Sequence, residues 1–251
     1  MSNENDAVVI ESRRGSTERP SAPLAIMACN EADRRRLCRL ANPPSGRARA
    51  VYNARLLDMI HADRTITVAG PILGAPQAVL VLEKLIALGS RVIIVLGWCG
   101  SLQPQVKIGD WLLPTFARSE EGTSSHYPEI SSRPAPDVAL FNRLREHFEV
   151  TGFAYHLGPI WTTDAPLRET TAKVHDYGKE GLLAVEMEMS ALFHVAFYRK
   201  VRLVGLLVVS DELFTMKWRP GFRSTRFKRS CHRATETLLD FCASVPLQLL
   251  K

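Results

Sequence analysis

The stretch that decides the fold is RVIIVLGWCGS, residues 91–101. A continuous Val/Ile/Leu run is typical of a strand that is covered on both faces of a parallel sheet, so residues 92–96 are predicted as such a strand. The segment before it, residues 77–88, is apolar almost all round and predicts a largely buried helix that ends at Gly89. The glycines within residues 97–100 then predict a loop at the carboxyl end of the strand. Open parallel sheets bind ligands beyond the carboxyl ends of their strands, so we expect a ligand there.

Strand-like and helix-like segments alternate over most of the remaining sequence. Asn30, a good N-cap residue, separates the first apolar strand from a charged helix. The other predicted strands and helices, with these two, cover residues 24–28, 31–39, 65–69, 110–113, 138–147, 153–160, 190–200, 202–209 and 227–243. This alternation predicts a single-domain α/β fold, with a mixed, mainly parallel sheet flanked by helices on both sides. The domain is predicted over residues 24–251, after a polar, disordered leader over residues 1–23.

The composition excludes several classes of protein. With 251 residues, 46% of them hydrophobic and 23% charged, the chain has the composition of one soluble α/β domain, which excludes a collagen-like or wholly disordered protein. The longest apolar stretches, residues 78–82 and 92–97, are far shorter than the ~20 residues that cross a bilayer, so no membrane span is expected. The first 23 residues lack the apolar core of a signal peptide, which predicts a cytoplasmic protein. Five cysteines without metal-type spacing predict reduced thiols and no metal site.

Three polar sites interrupt the apolar elements. The glycines of residues 97–101 let backbone amides approach an anion or a sugar, although a tight turn explains them as well. Glu186 and Glu188 precede an apolar helix. Either they accept hydrogen bonds from a donor such as vicinal sugar hydroxyls, or they form an ordinary first turn. Asp211 follows a buried strand, where burial raises the pKa of a carboxyl group toward that of a general acid, unless this residue caps the next segment.

Taken together, these sites occur in the order and surroundings of a known family. Residues 69–127, 161–170 and 185–211 resemble the nucleoside phosphorylase superfamily, in particular its uridine phosphorylase and hexameric purine nucleoside phosphorylase branch. The most specific part is Val-Glu-Met-Glu, residues 185–188. The resemblance covers about residues 24–243, which is most of the chain.

The resemblance implies a phosphorylase-like fold and a reaction in which phosphate cleaves the N-glycosidic bond of a nucleoside, giving a free base and a pentose 1-phosphate. It implies no metal and no organic cofactor, with inorganic phosphate as co-substrate, and a homodimer or homohexamer. The expected partners are a small-molecule nucleoside and phosphate, without nucleic acid or membrane. The basic segment over residues 217–233 is accordingly interpreted as a solvated helix face or an oligomer contact, because no aromatic stacking platform accompanies it.

Residue by residue, the resemblance places Glu188 on the ribose 2′- and 3′-hydroxyls, Met187 under the sugar and Glu186 beside it. Gly97 is expected to line the phosphate and sugar site, and Arg34 to bind phosphate. The other expected substrate contacts are Trp98, Thr162, Ser210 and His126.

Asp211 is the predicted catalytic residue. Departure of the base leaves positive charge on the ribosyl ring, and protonation of the base eases that departure. Ser210-Asp211 resembles purine-cleaving members of the family, whereas residues 120–127 look more like the uridine phosphorylase loop. A purine is therefore favoured, and the base remains open at this point.

The sequence departs from the family at the phosphate site. Val95 and Trp98 occupy positions at which the family has phosphate donors; a Val side chain cannot donate, and an indole has one N–H. Arginines near Arg34, or offered across a dimer interface, are suited to rebuild such a site. The loop around Glu31 is also similar to the acidic loop of the nucleosidase branch, in which a Glu activates water. A hydrolase with Glu31 as base and a non-catalytic nucleoside-binding homologue are therefore alternatives.

Overall fold

One mixed sheet of ten strands lies at the centre of the protein. The computed structural model describes residues 8–40, 47–128 and 133–250, over which the sheet is counted. Its strands are β1 (Leu24–Ala28), β2 (Arg49–Val51), β3 (Ala54–His61), β4 (Arg64–Gly70), β5 (Val92–Ser101), β6 (Trp111–Glu120), β7 (His156–Thr163), β8 (Ala184–Glu186), β9 (Arg202–Glu212) and β10 (Arg219–Pro220). The α-helices are α1 (Glu31–Leu40), α2 (Ala75–Leu88), α3 (Val138–Thr151), α4 (Thr171–Lys179), α5 (Met189–Tyr198) and α6 (Thr225–Ser244), and short 3₁₀ turns cover Ser124–His126, Pro166–Arg168 and Leu247–Leu250.

The strand order is β10-β9-β6-β7-β8-β5-β1-β4-β3-β2, with an additional pairing between β9 and β5. The parallel pairs are β1–β4, β1–β5, β5–β9, β6–β7 and β7–β8. The antiparallel pairs are β2–β3, β3–β4, β5–β8, β6–β9 and β9–β10. Because β5 pairs with both β8 and β9, the strands β5, β9, β6, β7 and β8 close into a ring.

The site of interest lies where β5 changes neighbours. On one side, β5 pairs with β1 as far as Ala28 and Leu96, and it pairs with β8 from Gly100 onward. Between these two pairings, residues 97–99 are paired with β9 alone among the described strands. An opening of this kind, at the carboxyl end of a strand where the order of neighbours switches, is where α/β sheets bind ligands.

The core lies in two layers, one on each face of the sheet. Ile93 and Val95 point into the layer that α2 and α5 cover, whereas Val92, Ile94 and Leu96 point into the layer of α1, α3 and α6. Side chains alternate between the two faces of a strand, so a strand that is covered on both faces must be apolar at every position. The predicted α/β class, with a mixed sheet flanked by helices on both sides, is therefore confirmed.

The predicted loop over residues 97–100 is wrong. Strand β5 continues to Ser101, with a register shift between Cys99 and Gly100, because β9 runs beside it and pairs with Gly97, Trp98 and Cys99. Long-range pairing of this kind overrides the turn preference of glycine. Strands β6 and β9 also run further than predicted, to Glu120 and Glu212, and the sequence did not predict β2, β3, β8, β10 or α4.

The segment over residues 8–23 carries no helix or strand, but its end contacts the domain. Ser21 Oγ bonds Ser90 Oγ at 2.8 Å, and the N–H of the buried Ala22 donates to Thr67 Oγ1 at 2.8 Å. Lys84 Nζ also donates to the carbonyl of Arg13 at 2.8 Å and to Glu18 Oε2 at 2.6 Å, so the contacts of the domain begin well before the predicted boundary at residue 24. The predicted disorder of the leader stays a prediction, and residues 1–7 lie outside the described residues.

All five cysteines are free thiols. Over the described ranges, no helix combines the length and the apolar character that crossing a membrane requires.

Candidate active site

A cavity of 480 Å³ lies where β5, β8 and β9 meet. Its walls are formed by Trp98, Cys99, Gly100, Pro166, Leu167, Glu169, Val185, Glu186, Met187, Ser210, Asp211, Leu213, Trp218 and Phe222. The structure thus brings Trp98, Glu186, Met187, Ser210 and Asp211 together from three separate parts of the sequence. A larger cavity of 580 Å³ lies between β6 and α6, and none of the predicted site residues lines it.

Glu186, at the end of β8, is buried and holds the start of α5. Its Oε1 accepts a hydrogen bond from Thr162 Oγ1, and its Oε2 accepts from the N–H groups of Glu188 and Met189, each at 2.7 Å. Burial, followed by the charge of Glu188, raises the pKa of Glu186, whereas these hydrogen bonds lower it in part. Thr162 also accepts from the N–H of Ser190 at 3.0 Å. Thr162 therefore positions Glu186 and does not itself reach the cavity.

Glu188 is buried next to the turn that begins α2. Its Oε1 accepts a hydrogen bond from the N–H of Gly74 at 2.6 Å. Burial raises the pKa of the Glu188 carboxyl group, and the hydrogen bond from Gly74 lowers it in part. The methyl of Met187 lies 4.0 Å from the position that a Cβ on Gly74 would occupy. Met187 and Glu188 thus contact the same turn, although Met187 alone of the two lines the cavity.

Gly97 lies beside Cys29, on the face of β5 that also carries Val95. A Cβ on Gly97 would lie 3.0 Å from Leu207 Cδ2 and 3.1 Å from Cys29 Sγ, so a side chain at this position would require these two neighbours to shift. Burial, followed by the charge of Glu188, raises the pKa of the Cys29 thiol. Cys29 therefore lies close to both Gly97 and Glu188. Val95 is fully buried in the core.

Trp98 points to the opposite face of β5, as the alternation of a strand requires. Its indole N–H donates to Asp33 Oδ2 at 2.7 Å, and its ring packs edge-on against Phe227 with centroids 5.0 Å apart. The N–H that the sequence offers at this position is thus used by a fully buried carboxylate. Trp98 presents only ring surface to the cavity.

Asp211 follows the buried part of β9 and is held by two donors. Ser210 Oγ donates to Asp211 Oδ1 at 2.6 Å, and the indole N–H of Trp218 donates to Oδ2 at 2.9 Å. Burial raises the pKa of Asp211, and these two hydrogen bonds lower it in part. A carboxyl group in such surroundings is suited to hold a proton at a higher pH than an exposed Asp.

Arg34 and Glu31 form an ion pair on α1. Arg34 Nε and Nη2 donate to the two oxygens of Glu31 at 2.6 and 2.8 Å, and the exposed Arg35 donates to Glu31 at 2.7 Å. The pKa of Glu31 is lowered to about 2, and the hydrogen bond from Arg34 is the largest cause. Arg34 does not line the 480 Å³ cavity. Its role in phosphate binding stays a prediction, and so does the role of Glu31 as a base.

His126 lies on a 3₁₀ turn, is exposed and does not line the cavity of its own chain. The loop that carries it is held by Glu121, a buried carboxylate that the sequence analysis did not single out. Glu121 Oε1 accepts from Ser190 Oγ at 3.0 Å, and its Oε2 accepts from the N–H of Thr123 at 2.7 Å. The loop is thus fixed to the start of α5.

Sequence reasoning missed Leu167 and Leu213 and three further residues with polar or aromatic side chains that line the cavity. Glu169 follows the 3₁₀ turn Pro166–Arg168, and Trp218 and Phe222 lie between β9 and α6. Burial, together with the charge of Asp211, raises the pKa of Glu169 to about 7. The sequence offered one indication of these residues. The segments that carry them follow β7 and β9, and both strands contain predicted site residues. Among the described residues, no group of three or more His, Cys, Asp or Glu side chains is arranged to hold a metal ion.

Comparison with solved structures reveals the same fold in known enzymes. A purine nucleoside phosphorylase of Toxoplasma gondii superimposes with a TM-score of 0.82 at 21% identity, covering 91% of this chain and 93% of that protein. A uridine phosphorylase of Vibrio fischeri superimposes with a TM-score of 0.79 at 21% identity, covering 90% and 93%. At this identity the comparison establishes the fold alone.

Relatives are also found by sequence. A guanosine phosphorylase of Halorubrum lacusprofundi is 31% identical over 148 residues, which are 59% of this chain and 61% of the relative. A DeoD-type purine nucleoside phosphorylase of Jannaschia is 30% identical over 158 residues, which are 62% of this chain and 68% of the relative. The match thus spans less than two thirds of the guanosine phosphorylase.

The family profile of the phosphorylase superfamily matches residues 23–245, nearly the whole described domain. The resemblance found in the sequence is thereby confirmed. With its fold, its cavity at the switch of strand neighbours and this match in agreement, the chain belongs to the phosphorylase superfamily.

Proposed function

We propose that the protein is a nucleoside phosphorylase that cleaves the N-glycosidic bond of a purine nucleoside with inorganic phosphate. The observation that carries the proposal is the placement of Asp211 and Met187 on one cavity, with Glu188 buried directly after Met187. A proton donor for the base then lines the cavity, and the carboxylate assigned to the sugar is buried next to a residue of its wall. The names of the relatives, a guanosine phosphorylase and a purine nucleoside phosphorylase, support the choice of a purine.

The sugar is assigned to Glu188. With Oε1 held by the N–H of Gly74, Oε2 is the oxygen that accepts from the ribose 2′- and 3′-hydroxyls. Met187 packs against one face of the sugar. Glu186 acts on this contact through the backbone, because it binds the N–H groups that begin α5. A carboxylate that is fixed in this way can stabilise the positive charge that develops on the ribosyl ring.

The reaction forms one bond, breaks one bond and transfers one proton. A phosphate oxygen forms a bond to C1′ while the bond from C1′ to the purine N9 breaks and its electrons pass to the base. Asp211 donates its proton to N7 of the departing purine, so a neutral base leaves and ribose 1-phosphate remains. The raised pKa of Asp211 favours the protonated form that this step requires.

Arg34 is assigned to the binding of phosphate. Glu31 holds the guanidinium of Arg34, so phosphate binding would exchange one anion for another on the same fork of donors. Gly97 is assigned to the phosphate and sugar site through its backbone, since it has no side chain of its own to compete with a ligand. The hydrolase alternative, with Glu31 as the base, is not supported, because a carboxylate with a pKa of about 2 is a weak base.

The remaining expectations belong to this proposal. Inorganic phosphate is the co-substrate and no organic cofactor takes part. The working form is a homodimer or homohexamer in the cytoplasm, and His126 is assigned to a nucleoside site across a subunit interface. Neither nucleic acid nor a membrane surface is a partner.

The proposal is tested by incubating the purified protein with guanosine, inosine, adenosine and uridine, each with and without phosphate. Free base and ribose 1-phosphate are quantified by chromatography. We expect purine release that requires phosphate and yields equal amounts of base and ribose 1-phosphate. Base release that ignores phosphate would establish a hydrolase, and nucleoside binding without any release would establish a non-catalytic homologue.

A further inference from the structure

We propose that the 580 Å³ cavity between β6 and α6 binds a chain of phosphate groups, either a polyphosphate or the phosphates of a nucleotide, through the guanidinium groups of Arg226, Arg229 and Arg233. This cavity shares no lining residue with the 480 Å³ cavity that is assigned to the nucleoside. The inference therefore goes beyond the proposed function and does not rest on it.

The three arginines line the same cavity because of their spacing on α6. They stand at positions i, i+3 and i+7, which share one face of an α-helix, and all three are exposed. With a rise of about 1.5 Å per residue, the first and the last are about 10 Å apart along the helix axis. A single phosphate would leave one end of this row unmatched, whereas a chain of phosphates matches it along its length.

Two of the three guanidinium groups have no acidic partner. Over the parts of the chain that the structure describes, neither Arg229 nor Arg233 forms an ion pair or donates a hydrogen bond. Arg233 instead packs on the ring of Phe153, 4.6 Å from its centroid. Glu236, the next acid along the helix, pairs with His232 at 3.5 Å. Like charges one turn apart on a helix repel each other, so a bound anion would relieve this repulsion.

A carboxylate, Asp110, also lines the cavity, but both of its oxygens are in use. Its Oδ1 accepts a hydrogen bond from Arg226 Nη2 at 2.5 Å. Its Oδ2 accepts from the N–H of Lys107 at 2.8 Å and lies 3.0 Å from His156 Nε2. Arg226 thus balances the charge of Asp110 with one of its five donors, and the other two arginines give the cavity an excess of positive charge.

The arginine-bearing face of α6 is fixed against the turn before β6. Gly109 in this turn has φ 87°, and a Cβ there would lie 2.9 Å from Arg226 Cγ, so glycine permits the close approach. Ser230 Oγ donates to the carbonyl of Gly109 at 2.6 Å and accepts from the indole N–H of Trp111 at 2.7 Å. The wall of the cavity is therefore formed before any ligand arrives, which lowers the entropic cost of binding.

The chemistry of the wall then selects the ligand. Guanidinium groups match phosphate oxygens with paired donors, and a cleft of one charge sign concentrates ions of the other. The volume of 580 Å³ falls within the range of about 300–1,000 Å³ that is typical of small-molecule sites. Beyond Arg233, the neighbouring cavity is lined by Glu236 and Asp240. These acids repel a longer polyanion such as a nucleic acid, so the site suits a short chain of phosphates.

The test is titration calorimetry at low ionic strength with tripolyphosphate, adenosine triphosphate and inorganic phosphate. We expect one saturable site that binds tripolyphosphate more tightly than phosphate, with an affinity that falls as salt is added. The double variant Arg229→Gln/Arg233→Gln should raise the Kd for tripolyphosphate roughly 10- to 100-fold, the value of at least one hydrogen bond between charged groups. Arg229→Gln alone, which removes no contact within the described chain, should raise it by a smaller factor.

Two controls separate this site from other positive charges. Arg143→Gln/Lys228→Gln removes the same amount of charge from exposed positions that do not line the cavity, and it should change the Kd little. Arg34→Ala, at the position assigned to the co-substrate phosphate, should likewise leave the Kd for tripolyphosphate in place. Thermal unfolding of each variant checks that the fold is retained.

The outcomes are distinct. Equal Kd values for tripolyphosphate and adenosine triphosphate would support recognition of the phosphate chain alone, and tighter binding of the nucleotide would support a nucleotide as the ligand. The inference is overturned by the absence of saturable binding, by phosphate binding as tightly as tripolyphosphate, or by equal weakening in the cavity variant and the charge control. Loss of tripolyphosphate binding in Arg34→Ala alone would also overturn it. None of these results depends on turnover of a nucleoside, so the proposed function is tested separately.

Discussion

The backbone N–H of Gly74 donates to Glu188 Oε1 at 2.6 Å, which joins two residues that are 114 positions apart in the chain. Gly74 precedes α2 with φ 76° and ψ 158°, a conformation that is essentially restricted to glycine. The carboxylate that we assign to the sugar is therefore oriented by main chain, through a turn that only glycine forms without strain.

Gly74→Ala should weaken nucleoside binding through this turn. A Cβ there would make only ordinary 4.0 Å contacts with Met187 and Pro76, so the cost is backbone strain of about 1–3 kcal/mol. We expect a lower Tm and a raised KM for nucleoside. Gly181→Ala is the matched control, because Gly181 has φ 85° and an added Cβ would meet nothing within 4 Å. The control should lower Tm without changing KM, and an equal change of KM in both variants would contradict this account.

Glu188→Gln should retain the fold and lose activity. The amide oxygen still accepts from Gly74, but the negative charge beside the ribosyl cation is gone, so kcat/KM should fall roughly 10²- to 10³-fold. The measurement is phosphorolysis of a nucleoside and of its 2′-deoxy analogue. In wild type, kcat/KM should be lower for the 2′-deoxy analogue than for the nucleoside, and this difference should be smaller in the variant. If the penalty were unchanged, Glu188 would not contact the 2′-hydroxyl.

The sequence predicted the sheet because burial on both faces leaves a pattern in neighbouring residues. Val92–Leu96 alternates between two core layers, so the apolar run itself reports the fold. Asn30 was predicted to cap α1, and its Oδ1 accepts from the N–H of Asp33 at 2.8 Å. The extension of β5 to Ser101 was not predictable in this way, because it depends on pairing with β9, more than 100 residues later in the chain.

The sequence predicted those residues of the candidate site that belong to a short motif. Met187 and Asp211 line one cavity, and each lies at or near a strand end. Glu169 and Trp218 lie on irregular segments whose path is set by tertiary packing, and neither has a local pattern. For Trp98, the sequence does not reveal its hydrogen-bond partner. The indole N–H donates to Asp33, which is 65 residues away in the chain.

Trp98→Phe should therefore reduce stability more than it affects substrate binding. It removes a donor from Asp33, which is fully buried, and should lower the free energy of unfolding by about 1–3 kcal/mol, measured by urea denaturation. Trp111→Phe is the matched control, because it removes a hydrogen bond to the neutral Ser230 and should cost about 0.5–1.5 kcal/mol. Unchanged stability with a raised KM would instead assign the Trp98 N–H to substrate.

The pair of Arg34 and Glu31 distinguishes phosphorolysis from hydrolysis. Arg34→Ala should raise the KM for phosphate roughly 10- to 100-fold, as expected for a charge-assisted pair of hydrogen bonds, while Arg35→Ala, which removes the exposed partner of Glu31, should change it little. Glu31→Gln should lower the KM for phosphate, because a competing anion is removed. Loss of base release in Glu31→Gln, with or without phosphate, would support the hydrolase.

Trp218→Phe should move the pH dependence of the reaction. The Trp218 N–H donates to Asp211 Oδ2 at 2.9 Å and stabilises the ionised form, so its removal should raise the pKa of Asp211. If Asp211 protonates the base, kcat/KM falls as the pH rises through this pKa, and the alkaline limb should lie at higher pH in the variant. Phe222→Leu is the control, because it alters the ring surface of the same segment without removing a donor from Asp211. It should change KM and leave the limb in place. An alkaline limb that does not move in Trp218→Phe would mean that a group other than Asp211 supplies the proton, and among the carboxyl groups on the cavity Glu169 would be the next to test.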